Sequence, residues 1–162
     1  MAREKSTSHR ALVVAMTIAL LPAVASADPV APQSLPDPHL TPGATVAATA
    51  TDICRPGYAR SVRHVTRRTE ARVFHEYGLR RGDGAKYEVD HLISLELGGS
   101  NAIQNLWPQR ADTHPWNSHL KDRLENRLHA LVCSGALSLQ RAQRAIAVNW
   151  IAAYRQYLGA PR

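Results

Sequence analysis

The stretch from Tyr87 to Lys121 constrains the fold of this chain more than any other part. It opens with residues 87–95, which alternate between apolar and polar side chains in the pattern of a β-strand. Gly98 and Gly99 then indicate a turn, and Leu106-Trp107 a short return strand stopped by Pro108. The stretch ends where an amphipathic helix begins. The expected unit is two short antiparallel strands followed by a helix.

Three segments have the apolar spacing of amphipathic helices. The first covers residues 66–77 and ends at Gly78; the second runs from about residue 116 to 132 and ends before Gly135. The stripe of the second is Leu120, Leu124, Leu128 and Leu131. Ser138 caps the third, whose predicted buried face is Ala142, Ile146, Trp150, Ala153, Tyr154 and Tyr157. Together with the two strands they predict an α+β fold.

The first 27 residues have the features of a signal peptide. Arg3, Lys5 and Arg10 form a positive start, residues 11–24 are mainly apolar, and Ala25-Ser26-Ala27 is a small-x-small cleavage site. The alternative is a membrane anchor, but the apolar run is short for a span. We therefore expect cleavage after Ala27, export to the periplasm or the medium, and no stable membrane association afterwards.

Two further boundaries follow from composition. Residues 28–51 are rich in Pro, Ala and Thr and show no apolar period, which predicts a flexible tether. Residues 52–162 form the expected single folded domain. The whole chain of 162 residues has a formal charge of +7. Removing residues 1–27 leaves 17 basic and 12 acidic residues, a charge of +5. That charge suits nucleic acid, although acidic lipid or cell-wall polymer would be served equally well.

Cys54 and Cys133 are the two cysteines of the chain. In an oxidising compartment such a pair usually forms a disulfide. The alternative, two zinc ligands, is disfavoured because neither cysteine belongs to a Cys-x-x-Cys pair.

Three segments carry a family resemblance: DHLISLELGG at 90–99, NLWP at 105–108 and WNSHLKD at 116–122. In this order they resemble exported bacterial proteins with the ββα-metal unit of HNH endonucleases. The resemblance covers most of residues 52–158. It implies metal-dependent phosphodiester hydrolysis of nucleic acid, with DNA favoured over RNA. Unlike the commoner HNH nucleases, this chain lacks paired Cys-x-x-Cys zinc knuckles, and we expect the Cys54–Cys133 disulfide to replace them as the staple.

The resemblance assigns roles to individual residues. It implies that His91 is the general base and that Asp90 and Asn117 are metal ligands. Asn105 would brace the loop that holds the strand of His91. One of two histidines would complete the metal shell, and His119 is preferred to His114 because it lies in the matching segment.

The chemistry of hydrolysis fits these residue types. A histidine of near-neutral pKa can take a proton from water. Carboxylate and amide oxygens suit a hard divalent ion, Mg²⁺ first and Mn²⁺ or Zn²⁺ as alternatives. Neighbours such as Asp90 and His91 face opposite sides of a regular strand, so they can share one site only where the strand ends or distorts.

Nucleic-acid contacts are expected from Lys121 and from Arg67, Arg68 and Arg72 on one helix face. A solvated charged face is the alternative for each of them. Two other classes of protein compete with the nuclease: a non-catalytic module that binds nucleic acid or cell-wall polyanion, and a structural zinc domain built on the histidines. The set Asp90, His91 and Asn117 favours the enzyme, because a binding module has no need of a base beside a ligand. The oligomeric state is left open.

Overall fold

The computed structural model describes residues 34–80 and 83–161 as an α+β fold. Its elements, in order, are α1 (Ala50–Ile53), α2 (Tyr58–Val62), α3 (Arg67–Glu76), β1 (Tyr87–His91), β2 (Leu106–Arg110), α4 (Ser118–Cys133) and α5 (Leu139–Leu158). Short 3₁₀ turns cover Asp83–Lys86, Leu95–Leu97 and Ile103–Asn105. The predicted signal peptide lies outside the described residues.

The two strands pair antiparallel, with Tyr87 opposite Arg110 and His91 opposite Leu106. The prediction of a strand up to Leu95 was wrong, because the ladder ends at His91 and the following residues bond to Asn105 instead. The return strand is longer than predicted and passes through Pro108. A two-stranded sheet tolerates a proline because each strand has an unpaired edge.

The predicted turn at Gly98 and Gly99 has a clear steric basis. Gly98 has a φ of +73°, a left-handed conformation that glycine adopts without cost. A side chain at Gly99 would overlap the carbonyl oxygen of Ile93. Both glycines are therefore needed to return the chain beneath the end of β1.

Helix α4 begins at Ser118, two residues later than predicted, because the side chain of Asn117 caps it by accepting from the amide of Leu120 at 3.1 Å. Its buried apolar stripe is Leu120, Leu124, Leu128 and Val132; Leu131 is only half-buried. The stripe packs against α5, which Ser138 caps as predicted. Trp116 joins the same core through edge contacts with Trp150 and Tyr154, at centroid distances of 5.9 and 5.6 Å.

Residues 34–49, assigned to the tether from composition, bond to the domain over most of their length. The indole of Trp150 donates to the carbonyl of Ser34 at 2.7 Å, and the buried hydroxyl of Thr41 bonds Tyr77 and the carbonyl of Leu106. The amide of Gly43 donates to Gln104. The remainder of the predicted tether before residue 34 lies outside the described residues.

The predicted disulfide between Cys54 and Cys133 is confirmed, with a Cα–Cα distance of 5.6 Å. It ties the segment between α1 and α2 to the last residue of α4. In the described part of the chain, no helix is both long enough and apolar enough to cross a membrane.

Candidate active site

His91, the last residue of β1, is held in one orientation by Asn101. Its side chain is buried, with the residue 3% exposed, and Nε2 lies 3.1 Å from Asn101 Oδ1. The amide of Asn101 is itself fixed, because its Nδ2 donates to the carbonyl of Val62 and its Oδ1 also accepts from the backbone amide of His64. Since Oδ1 only accepts, His91 carries its proton on Nε2. Nδ1 is therefore the nitrogen with a lone pair.

The electrostatics of the site keep His91 neutral. Burial lowers its pKa below the ordinary value of 6.5, against the hydrogen bond that His91 donates to Asn101 and the charge of Asp90, which raise it. The positive charges of Arg63 and Lys121 lower the pKa further. At neutral pH the imidazole is thus in the form that can accept a proton.

Asn105 fixes the loop beneath His91. It is 0% exposed, and its Oδ1 accepts from the backbone amides of Ile93 and Ala44 at 2.9 and 3.3 Å. Its Nδ2 donates to the carbonyls of Ile93 and Ser100 at 3.0 and 2.8 Å. The side chain of Asn105 thereby satisfies the backbone groups of Ile93, where the hydrogen bonds between the two strands have ended. These bonds fix the loop that follows His91.

Asp90 precedes His91 and contacts a buried lysine. Lys121, on the first turn of α4, is 0% exposed; its ammonium lies 2.6 Å from Asp90 Oδ2 and donates to the carbonyl of His91 at 2.7 Å. It also pairs with Glu125 one turn further along. The prediction that Lys121 contacts phosphate does not fit this arrangement, because all three of its protons are directed at protein oxygens.

The buried charges adjust one another's protonation. Burial alone would lower the pKa of Lys121, but Asp90 and Glu125 outweigh it and hold the pKa above its ordinary value. Burial raises the pKa of Glu125 to about 7, against the attraction of Lys121. Lys121 is therefore a permanent cation that links β1 to α4.

An acidic surface lies beside this pair. Burial raises the pKa of Asp122, and the negative charges of Asp90 and Glu88 raise it as well, whereas His119 lowers it. The contacts of Lys121 with Asp90 and with the carbonyl of His91 hold β1 next to the start of α4. Lys121 neutralises Asp90 by their ion pair, so Glu88 and Asp122, both exposed, are the carboxylates left to attract a cation.

The other expected metal ligands are placed at the start of α4. Asn117 Oδ1 accepts from Leu120, and an amide oxygen with two lone pairs retains one for an ion. His119 is exposed, as is His114. Within the described residues, neither Asp90 nor His119 belongs to a trio of histidine, cysteine or acidic ligand atoms within 4.8 Å of one another.

The arginines expected to contact nucleic acid lie on α3. Arg67, Arg68 and Arg72 are all exposed, and Arg72 pairs with Glu76 at 2.9 Å. Helix α3 packs against β2. Arg63, which precedes α3 and is exposed, acts on the pKa of His91 and is the arginine that the structure associates with the site.

Four residues of the site were not singled out from sequence: Arg63, Asn101, Asp122 and Glu125. Asp122 is the last residue of the segment WNSHLKD and follows His119 by three residues, so the helical period places these two on one face. Glu125 follows Lys121 by four residues, which places that pair on one face as well. Asn101 and Arg63 offered no comparable pattern, because their contacts join separate parts of the chain.

Comparison with known proteins returns no family model, no curated protein and no solved structure that matches this chain.

Proposed function

We propose that this chain is a metal-dependent endonuclease of the HNH type, in which β1, β2 and α4 form the ββα-metal unit. Its substrate would be nucleic acid, DNA in preference to RNA, and its reaction phosphodiester hydrolysis. The observation that carries the proposal is His91: a buried imidazole at a strand end, next to Asp90, with a bond to Asn101 that leaves Nδ1 free to accept a proton.

Each residue has a defined task in this reaction. His91 Nδ1 accepts the proton of the attacking water, and the Nε2–H bond to Asn101 keeps the ring in place while the imidazolium forms. Asp90, Asn117 and His119 are the residues that would hold a divalent ion, Mg²⁺ above all. When bound, that ion supplies positive charge for the phosphate oxygens and the leaving group.

Substrate attraction follows from charge. The expected mature chain carries +5, and Arg63 with Arg67 and Arg68 gives exposed guanidinium groups before and on α3. Phosphate contacts of this kind provide affinity without reading sequence. The disulfide is compatible with an exported enzyme, which is the location we propose.

The decisive experiment incubates the protein lacking residues 1–27 with plasmid DNA and with RNA, separately with Mg²⁺, Mn²⁺, Zn²⁺ or a chelator. We expect cleavage with a divalent ion and none with the chelator. His91→Ala should lower the rate by about 10²–10⁴, the usual contribution of a general base. His75→Ala, at an exposed position of α3, is the matched control and should cleave as wild type does.

Two results would count against the proposal. Cleavage by His91→Ala at the wild-type rate would show that His91 is not the general base. Tight binding of DNA or RNA at low salt, without cleavage in the presence of any of the ions, would favour the non-catalytic binding module instead.

Asp90→Ala and Asn117→Ala should weaken metal binding, so that excess ion partly restores their activity.

A further inference from the structure

A second group of ligating side chains lies at the far end of α4, at the disulfide. Cys54, Cys133 and His129 bring their sulfur and nitrogen atoms within 4.8 Å of one another. His129 Nε2 is 3.4 Å from Cys133 Sγ. No other trio of histidine, cysteine or acidic ligand atoms is this compact in residues 34–80 and 83–161.

The His129–Cys133 spacing matches a tetrahedral ion, and the two sulfurs, covalently bonded in the disulfide, would have to move apart after reduction. Zinc binds thiolate sulfur at about 2.3 Å and imidazole nitrogen at about 2.0–2.1 Å, so adjacent ligands on a tetrahedron lie roughly 3.5 Å apart. The observed nitrogen–sulfur distance of 3.4 Å is close to such an edge. His129 and Cys133 are also four residues apart on one helix, which places both side chains on the same face.

Two of the three residues share a cavity with a glutamate that has an unpartnered oxygen. Cys54, His129 and Glu96 line one cavity of about 440 Å³. Within the described residues Glu96 Oε2 is buried without a hydrogen-bond partner, which indicates an unmet demand for a proton donor, water or cation. Arg55 and Arg60 line the same cavity, but Arg55 is paired with Asp52 at 3.2 Å.

We propose that, once the disulfide is reduced, Cys54, Cys133 and His129 bind one divalent ion of the zinc class, with water from the cavity in the fourth position. A phosphine reductant supplies the two electrons: it takes oxygen from water to become the phosphine oxide, and each sulfur gains a proton. Ion binding then releases the two thiol protons as both thiolates coordinate. His129 gives up its 3.1 Å hydrogen bond to the carbonyl of Ile53.

The consequence is a staple that works in both redox states. The disulfide joins the segment after α1 to the end of α4, and the ion would join the same points when the sulfurs are reduced. A thiol-reducing compartment imposes the reduced state, whereas the exported location proposed above favours the disulfide. The site is independent of the proposed nuclease activity.

The test uses the protein lacking residues 1–27, reduced with a phosphine that does not compete for the metal, and Co²⁺ as a coloured substitute for Zn²⁺. We expect one equivalent of Co²⁺ to give a thiolate-to-metal charge-transfer band and the visible absorption of a tetrahedral ion, both removed by one equivalent of Zn²⁺. The oxidised protein should show neither, and an ion at Asp90 gives no thiolate band.

Variants distinguish a specific zinc site from nonspecific binding of the ion to the two thiols. Against a chromophoric chelator, His129→Ala should lose more zinc affinity than the 10–100-fold that loss of an outer partner costs. His75→Ala should bind as wild type does, and Cys54→Ser should abolish the thiolate pair. Absence of the cobalt bands in reduced wild type would overturn the proposal, and so would bands of equal strength and affinity in His129→Ala.

Discussion

The two ends of α4 are attached to the fold by different means. At its start, polar groups attach it: the side chain of Asn117 caps the helix. The buried Lys121 contacts Asp90 and the carbonyl of His91 on β1. At its end, Cys133 is bonded covalently to Cys54. Between them the apolar stripe of α4 packs against α5.

The difference follows from what each end has to do. Buried charges are expensive unless they are paired, so the start of α4 is a costly way to hold a helix. It is, however, the arrangement that places a carboxylate, a neutral histidine and an acidic surface together. A covalent link stabilises without presenting any charge, and it lies where no part of the proposed reaction takes place.

The largest stability effect is expected at the charged end. Lys121→Met should destabilise the fold by about 3–5 kcal/mol, because it leaves Asp90 and Glu125 without their buried cation. Adding Glu125→Gln should recover part of that loss. Denaturant unfolding measures both, with Arg127→Met, at an exposed position of the same helix, as control. A loss as small as that of the control would show that the ion pairs contribute nothing.

The covalent end is the next to break. The link spans a sequence separation of 79 residues, and a loop of this size is worth about 4 kcal/mol in the chain-entropy model. Cys54→Ala and Cys133→Ala should lose similar stability in the presence of a chelator, and the double variant no more than either. Cleavage per folded molecule should stay at the wild-type level, because neither cysteine has a role in the proposed reaction. Parallel loss of activity would mean that the two ends are coupled.

This comparison also separates what sequence could predict from what it could not. The disulfide and the apolar stripe of α4 were predictable, because cysteine count and helical period are local signals. Burial of Lys121 was not, since Lys121 and Glu125 at a four-residue spacing have the pattern of a surface pair. Only the packing of β1, thirty residues earlier, removes them from water.

The segment before α1 was also unpredictable from local signals. Its Pro, Ala and Thr composition has no apolar period, yet residues 34–49 are pinned by backbone bonds to Trp150, Gln104 and Tyr77. Hydrogen bonds to main-chain groups leave no trace in side-chain composition. Asn105 was placed in its role by resemblance, whereas its four backbone contacts belong to the folded chain.

Asn105→Ala should cost less than either end of α4, about 1–3 kcal/mol, because it leaves buried backbone groups of Ile93 unsatisfied. Activity should fall further than stability accounts for, since the strand end that carries His91 loosens. Denaturant unfolding and cleavage rates on folded protein separate the two effects. Asn126→Ala, at an exposed position of α4, should change neither. Full activity in folded Asn105→Ala would show that the loop after His91 keeps its conformation without Asn105.

The smallest expected effect is a change of pH dependence in Arg63→Ala. Activity needs neutral His91, so the rate rises with pH through the pKa of His91 and is level above it. Burial holds that pKa below the ordinary histidine value, which extends the level part of the wild-type profile towards lower pH. The positive charge of Arg63 lowers the same pKa, and its removal should therefore shift the acid limb of kcat/KM slightly towards higher pH. Because Arg63 is exposed, added salt should screen most of its effect on the pKa of His91 in wild type.

Arg72→Ala removes a guanidinium that is paired with Glu76 in wild type, and it is the matched control. It should leave the acid limb of kcat/KM unchanged. A shift to lower pH in Arg63→Ala would contradict the assignment of His91 as the titrating base.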